Sequence, residues 1–305
     1  MASESELIAA LSAVFKRSDS NVLENVIIGI GDDGAVIAPS SHKSVLATDM
    51  AVEGVHFKRE WSTLKEIGAK ITAANLADIY AMGGDPKYLL VSAGLTPDFG
   101  ISEITELAEG IASEAKLVGA SVVGGDISKA DQLVVSISVF GEVENPITRS
   151  GAKVGDSVVI SGLPGKSAAG LMQLKNGSVE SAFISAHKKP VVNYEMSKRF
   201  RKVNSMCDVS DGLLSELNHI ASASKVGIEL DSNLLSQLPG FSDLKAATNE
   251  EIWDLVLAGG EDHVFVATTS AEIPEGAFVI GKVVTESGVR VSGVSKLPAT
   301  GFRHF

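Results

Sequence analysis

Thr63-Leu64-Lys65-Glu66-Ile67-Gly68-Ala69-Lys70-Ile71-Thr72-Ala73-Ala74-Asn75-Leu76-Ala77-Asp78 runs on to Met82-Gly83-Gly84-Asp85-Pro86, and its periodicity decides the fold class. Leu64, Ile67, Ile71 and Ala74 recur at steps of three and four, which predicts a helix over Thr63 to Met82. Ile101, Ile104, Leu107, Ile111 and Val118 repeat the pattern before Gly119. Short β-branched runs surround these helices: Val26 to Ile28, Ser44 to Ala47, Leu133 to Phe140, Val158 to Ile160, Val264 to Thr268 and Phe278 to Val284 read as strands. Helices and strands in alternation specify an α/β protein. A chain of 305 residues is long for one core, so about two domains are expected. The polar, Gly-bearing stretch from Thr148 to Asp156 is the best boundary, dividing the chain into 1–147 and 148–305.

Composition narrows the function. With 45% hydrophobic and 21% charged residues the chain is globular. No apolar run reaches the length of a membrane span, and Met1-Ala-Ser-Glu-Ser-Glu lacks the basic start of a secretory signal, so a cytoplasmic protein without membrane partners is expected. The single cysteine, Cys207, excludes an internal disulfide and a cysteine-built zinc site. Acidic residues number 38 against 26 basic ones, a net charge of -12, and no Lys/Arg-rich run offers a face to nucleic acid. If this chain handles phosphate, metal ions must bring the positive charge.

The carboxylates fall in Gly-flanked positions after strands or before helices: Asp32-Asp33, Asp49, Asp78, Asp126, Asp208 with Asp211, and Glu261-Asp262. Each also reads as a turn or cap residue. Asp78 differs, because it extends the stripe Leu64, Ile67, Ile71, Ala74 and so is expected to point with the core side chains. A buried carboxylate there needs a cation or hydrogen bonds. Hard divalent ions such as Mg2+ take oxygen ligands, which matches Asp without nearby His or Cys.

Two motifs mislead. Gly29-Ile30-Gly31-Asp32-Asp33-Gly34 follows a strand as a dinucleotide fingerprint does, but two carboxylates inside the loop repel a pyrophosphate, and Ala35 to Pro39 is β-branched and proline-stopped where a helix is required. Ser161-Gly162-Leu163-Pro164-Gly165-Lys166-Ser167 ends like a P-loop, yet Ile160 stands where the first glycine belongs, so a tight turn into a helix over Ser167 to Leu174 is expected.

Eight segments stand in a fixed order and spacing: Gly31-Asp32-Asp33, Thr48-Asp49 through His56-Phe57, Asn75 through Asp78 to Pro86, Gly124-Gly125-Asp126, Thr148-Arg149-Ser150-Gly151-Ala152, Asp208-Val209-Ser210-Asp211-Gly212-Leu213, Gly259-Gly260-Glu261-Asp262 and Gly301-Phe302-Arg303-His304-Phe305. Together, over nearly the whole chain, they resemble the thiamine-monophosphate kinase family. The resemblance implies a two-domain fold of the aminoimidazole ribonucleotide synthetase group, with mixed sheets flanked by helices. Its N-terminal domain would bind ATP and Mg2+ and pair in a homodimer, and the C-terminal domain would be α/β. It also implies transfer of the ATP γ-phosphoryl to thiamine monophosphate, giving thiamine diphosphate and ADP.

Residue by residue, the resemblance makes Asp32, Asp49, Asp78, Asp126, Asp208 and Asp211 ligands of several Mg2+ ions, with oxygens from Ala47 and Thr48. Gly125, Asp126, Arg149 and Ser210 become nucleotide contacts, and His56, Glu261 and Phe302 contacts to the thiamine part. Asp126, Arg149 and Asp211 stand nearest the chemistry. Phosphoryl transfer needs positioning and charge neutralisation, and an ionised phosphate acceptor needs no catalytic base. Direct in-line transfer is expected, with the planar fork of Arg149 on the phosphates. Phe302 could stack on the thiamine rings and Glu261 pair with their polar or charged groups.

The chain departs from the family at His263-Val264, where an aromatic residue and an acid are common, and at Arg303, where an acid is common. Among alternatives, a selenophosphate synthetase-like enzyme would carry a reactive N-terminal Cys, whereas the only cysteine is Cys207. The segments around His56 and Glu261 fit the kinase better than the purine-pathway synthetase. A non-catalytic nucleotide-sensing dimer would not need all six carboxylates.

Overall fold

Thr63 and Glu66 start the long helix reciprocally: the Glu66 amide donates to Thr63 Oγ1 at 3.1 Å and the Thr63 amide to Glu66 Oε2 at 2.8 Å, a capping box. The computed structural model describes residues 3–18, 25–30, 34–248 and 252–298. It separates into two units, Met1–Ile79 with Gly84–Glu144, and Tyr80–Gly83 with Asn145–Phe305.

The first unit runs α1 (Glu4–Ser18), β1 (Val26–Ile28), β2 (Val36–Ile37), β3 (Lys43–Val52), α2 (Leu64–Ala81), β4 (Asp85–Leu95), α3 (Ile101–Leu117), β5 (Ser121–Lys129) and β6 (Val134–Val143). β1 and β2 pair with each other. The other strands form a sheet in the order β3-β6-β4-β5, antiparallel except for β4 with β5. Burial alternates strictly along β6, with Val135, Ile137, Val139 and Val143 inward and Ser136, Ser138 and Phe140 more open, as expected of a sheet with one face covered. α2 is buried on nearly every side: Ile67 to Ala73 and Asn75 to Ala77 are all enclosed.

The Asp78 stripe does not hold as read. Leu64, Ile67 and Ile71 are buried, but Ala74 and Asp78 are only half-buried. A straight helix rotates by about 20° per heptad against a seven-residue repeat, so over Leu64 to Asp78 the stripe drifts by roughly 40° towards the open side.

The second unit runs β7 (Ser157–Ile160), α4 (Lys166–Lys175), α5 (Ala182–Lys188), α6 (Tyr194–Arg199), β8 (Ser205–Asp208), α7 (Leu213–Ser224) and β9 (Gly227–Asp231). It continues with α8 (Ser232–Ser236), α9 (Phe241–Thr248), α10 (Ile252–Ala258), β10 (Phe265–Thr269), β11 (Phe278–Val284) and β12 (Gly288–Ser292). Its sheet has the order β12-β9-β11-β7-β10-β8, antiparallel except for β12 with β9. Val158 and Ile160, Leu217 and Ile220, Ile228, Val266 and Ile280 are completely enclosed and form the centre of its core. The fold is thus α/β with two mixed sheets flanked by helices. No helix among the described residues is long and apolar enough to cross a membrane.

Glycines set how closely the helices of the first unit approach. A Cβ on Gly68 would stand 2.3 Å from the Leu107 carbonyl oxygen, and one on Gly110 2.1 Å from that of Lys65. α2 and α3 therefore meet main chain to main chain. Gly110→Ala is expected to destabilise the protein by about 1–3 kcal/mol in urea unfolding, the usual cost of overpacking. Gly34→Ala, which puts its methyl into open space, is expected to leave the midpoint unchanged.

Candidate functional site

In the first unit, β3 carries Ala47, Thr48 and Asp49. The Asp49 amide donates to Asn75 Oδ1 at 2.9 Å, while Asn75 Nδ2 donates to the Ile71 carbonyl at 2.9 Å, so a fully buried amide on α2 fixes the strand where Asp49 leaves it. Asp78 follows Asn75 by about one helical turn. Thr48 Oγ1 donates to the Ile137 carbonyl and accepts from Ser138 Oγ, which ties the hydroxyl to the neighbouring strand. His56 lies in the turn after β3, where its Nδ1 accepts the Val52 amide at 3.0 Å, leaving the ring hydrogen on Nε2.

Gly125 and Asp126 are exposed on β5. A side chain on Gly125 would collide with the Val91 carbonyl oxygen, 1.9 Å from its Cβ, so only glycine permits this strand approach. The two residues line a cavity of about 960 Å³, bounded also by Leu11 and Phe15 of α1, Leu107 of α3 and Ser92 of β4. β3 and β5 are opposite edges of the sheet, so Asp49 and Asp126 stand roughly three strand spacings, about 14 Å, apart. Asp49 is in register with Ile137, Val91 and Gly125, which puts Asp126, one residue on, on the other face. Among the described residues no three His, Cys, Asp or Glu side chains gather closely enough to hold an ion. Asp32 and Phe302 lie outside the described residues.

In the second unit, edge strand β8 ends at Asp208, and Val209-Ser210-Asp211-Gly212 turns the chain into α7. The loop from Gly259 to Val264 lies along this turn: the Glu261 amide donates to the Ser210 carbonyl at 2.7 Å, the His263 amide to that of Val209 at 3.0 Å, and the Val209 amide to that of Val264 at 2.8 Å. Gly260 makes this possible, since its Cβ would stand 2.3 Å from the Ser210 oxygen. Asp208 is buried and its Oδ2 meets His263 Nδ1 at 2.9 Å, while Ser210 and Asp211 remain half-exposed.

Arg149, exposed over half of its side chain, donates from Nη2 to Glu216 Oε2 at 3.3 Å. His219 Nδ1 reaches the same oxygen at 3.3 Å. Burial, and then the Asp208 carboxylate, push the Glu216 carboxyl above its usual range, while Arg149 and His219 pull it back. Burial likewise pushes the Cys207 thiol well up. Glu216 is absent from the sequence-derived set, although an acid among Leu213, Leu217 and Ile220 on one helix face was its visible signal. His263, a departure from the family pattern, becomes the partner of Asp208.

The P-loop-like turn is already filled by an internal anion. Asp262 Oδ2 accepts the Gly165 amide at 2.6 Å and Oδ1 the Ser167 amide at 3.0 Å, at the N-terminus of α4. Burial raises its carboxyl from 3.8 to about 6, against the pull of these two amides. Asp262→Asn loses one of the two bonds and should cost about 1–3 kcal/mol at pH 7. Because the folded-state value lies above the unfolded one, the folded wild type takes up its proton first as pH falls. Its advantage over the variant in urea unfolding is therefore expected to grow between pH 7 and about pH 4.

Residues 31–143 match the family model of the AIR synthase related protein N-terminal domain, and residues 153–294 that of the corresponding C-terminal domain. The chain is 42% identical over 262 residues to the thiamine-monophosphate kinase of Bacillus subtilis, covering 81% of this chain and 79% of the relative. It is 37% identical over 265 residues to that of Mycobacterium tuberculosis, covering 85% and 80%. Among solved structures, that of AaThiL complexed with AMPPCP and TMP superposes with a TM-score of 0.81 at 33% identity, covering 100% of this chain and 99% of that one. Thiamine-monophosphate kinase from Stenotrophomonas maltophilia superposes with a TM-score of 0.83 at 26% identity, covering 96% and 98%. By sequence and by fold, this chain belongs to the thiamine-monophosphate kinase family.

Proposed function

We propose that the chain transfers the γ-phosphoryl of ATP directly, in line, to the phosphate of thiamine monophosphate, giving thiamine diphosphate and ADP in the presence of Mg2+. The observation that carries this reading is the distribution of carboxylates. The first unit offers exposed Asp49 and Asp126 and half-buried Asp78, and the second offers half-exposed Asp211 and a half-exposed Arg149 held by buried Glu216. The relatives named above and the family neighbour complexed with AMPPCP and TMP support it.

The donor set suits Mg2+, because every proposed ligand offers oxygen: Asp32, Asp49, Asp78, Asp126, Asp208 and Asp211, with Ala47 and Thr48 adding carbonyl or hydroxyl oxygens. Preassembled three-carboxylate cages are not needed, since Mg2+ is usually held by one or two carboxylates together with substrate phosphates and water. When bound, the metal neutralises charge on the transferring group and orients the phosphates. Asn75 holds the main chain of Asp49 in place for this task, and Glu216 holds the Arg149 guanidinium, which binds phosphate oxygens through its planar fork. Gly125 lets β5 close on β4 beside Asp126, where the nucleotide would bind, and Ser210 contributes a hydroxyl. The acceptor oxygen is ionised near neutral pH, so no side chain has to remove a proton.

His56, Glu261 and Phe302 are assigned to the thiamine part, where a carboxylate offsets its positive charge. Residues 1–147 would bind nucleotide and pair with a second copy, and 148–305 would complete the enzyme. Leu46 and Met50, both 59% exposed on one face of β3, support such pairing. Cytoplasmic residence accords with these substrates.

The test is ADP release by the purified protein with ATP and Mg2+, comparing thiamine monophosphate, thiamine and no acceptor. Release is expected with thiamine monophosphate alone, and Asp126→Asn is expected to lower it by about a hundredfold or more. ATP binding without acceptor-dependent release would refute the reading.

A further inference from the structure

Glu261 stands in a conformation that its own backbone does not favour. Its φ is 62°, in the left-handed region where a non-glycine residue is uncommon, and His263 follows with φ 51°. The strained segment is held at three points. Its amides bond to the Val209 and Ser210 carbonyls, Gly260 packs flat on Ser210, and the Asp262 carboxylate is bolted to the amides of Gly165 and Ser167. These contacts fix the backbone of Glu261 but leave its side chain to be set by something else.

That side chain meets a buried imidazole. Glu261 Oε2 lies 3.5 Å from His187 Nδ1, and the same nitrogen lies 3.0 Å from Ser167 Oγ. His187 is only 5% exposed and Ser167 1%, whereas the Glu261 side chain is one-third exposed. α5 delivers His187 because Gly170 lets α4 and α5 touch: a Cβ there would stand 2.0 Å from the Phe183 carbonyl oxygen. A carboxylate can only accept, so an attractive contact requires the hydrogen on Nδ1, with the Ser167 oxygen as its second acceptor.

We infer that His187 is a positioning residue for Glu261, holding one carboxylate oxygen from behind so that the exposed part of the group is presented to the positively charged thiamine portion of the acceptor. The inference rests on the proposed reading of Glu261 as an acceptor contact. Asp262, Ser167 and His187 then form one chain of side-chain support running from the α4 N-terminus to Glu261, whereas it is the main chain of Glu261, not this side-chain support, that meets the nucleotide-assigned Ser210. Its loss should therefore weaken acceptor binding and spare ATP.

The experiment is steady-state kinetics with thiamine monophosphate and ATP varied in turn, for wild type, His187→Phe and His187→Asn, each also in a Glu261→Ala background. His187→Phe removes the donor, and His187→Asn places an amide N–H near the former Nδ1. The acceptor KM is expected to rise about tenfold in His187→Phe with the ATP KM unmoved, to return towards wild type in His187→Asn, and to show no His187 effect when Glu261 is absent. If His187→Phe does not fold, His187→Gln, whose amide reaches only the Nε2 position, is expected to behave the same way. An unchanged acceptor KM, equal rises for both substrates, or an undiminished effect in the Glu261→Ala background would each overturn the inference. A wild type that turns over no thiamine monophosphate would instead overturn the functional reading, and this inference with it.

Discussion

The second unit depends on close approaches of main chain to main chain, where Gly260 lies against the turn after β8 and Gly259 against α10. Any side chain at Gly260 would strike the Ser210 carbonyl, and one at Gly259 would stand 2.4 Å from the Leu255 carbonyl. With those side chains absent, the pairing of β10 with β8 continues past the strand ends. Glu261, Asp262 and His263 are thereby carried to the place where Asp208, Ser210 and Asp211 leave the sheet. Each of the three acidic or basic side chains in the loop then finds a different partner: Glu261 meets His187, Asp262 the amides of Gly165 and Ser167, and His263 the Asp208 carboxylate. A pair of glycines thus sets the relations among groups that are more than fifty residues apart in the chain.

Charge is the second constraint. A chain with a net charge of -12 that takes phosphate-bearing substrates, as proposed, needs cations between its own carboxylates and their phosphates. Within the second unit the balance is partly internal. Buried Glu216 is matched by Arg149 and His219, and Asp208 by His263, leaving Asp211 more open to solvent. In the first unit Asp49 and Asp126 are both exposed and lie on opposite edges of one sheet, too far apart to serve one ion together. On the proposed function, this spacing calls for separate metal contacts, each completed by phosphate oxygens.

Much of this was legible in the chain. The period of three and four located α2 to within a residue at each end, and the β-branched runs at Val158 to Ile160, Val264 to Thr268 and Phe278 to Val284 located β7, β10 and β11. Strands β4 and β5 escaped because Asp85-Pro86 and Gly124-Gly125-Asp126 read as punctuation, although the first opens β4 and the second lies inside β5. β3 was read short for the same reason: Thr48-Asp49 interrupts its apolar pattern. The Gly-flanked acids were visible as a set, but the groups that orient them were not. Glu216, His187 and the pairing of His263 with Asp208 depend on contacts across the fold, and no local spacing announces them. The P-loop-like turn was correctly set aside for its missing glycine, yet the deeper reason is tertiary, since Asp262 already occupies its amides.

On the proposed function, the carboxylates of this chain meet phosphate only through a divalent cation. The most direct test of this claim is the ratio of affinities for a fluorescent ATP analogue with Mg2+ and after chelation, in wild type and in Asp126→Asn. A ratio of about tenfold or more that shrinks in the variant, because removing a carboxylate both loses a ligand and relieves repulsion, is the predicted result. A ratio near one in the wild type, or one that the variant leaves untouched, would contradict the claim.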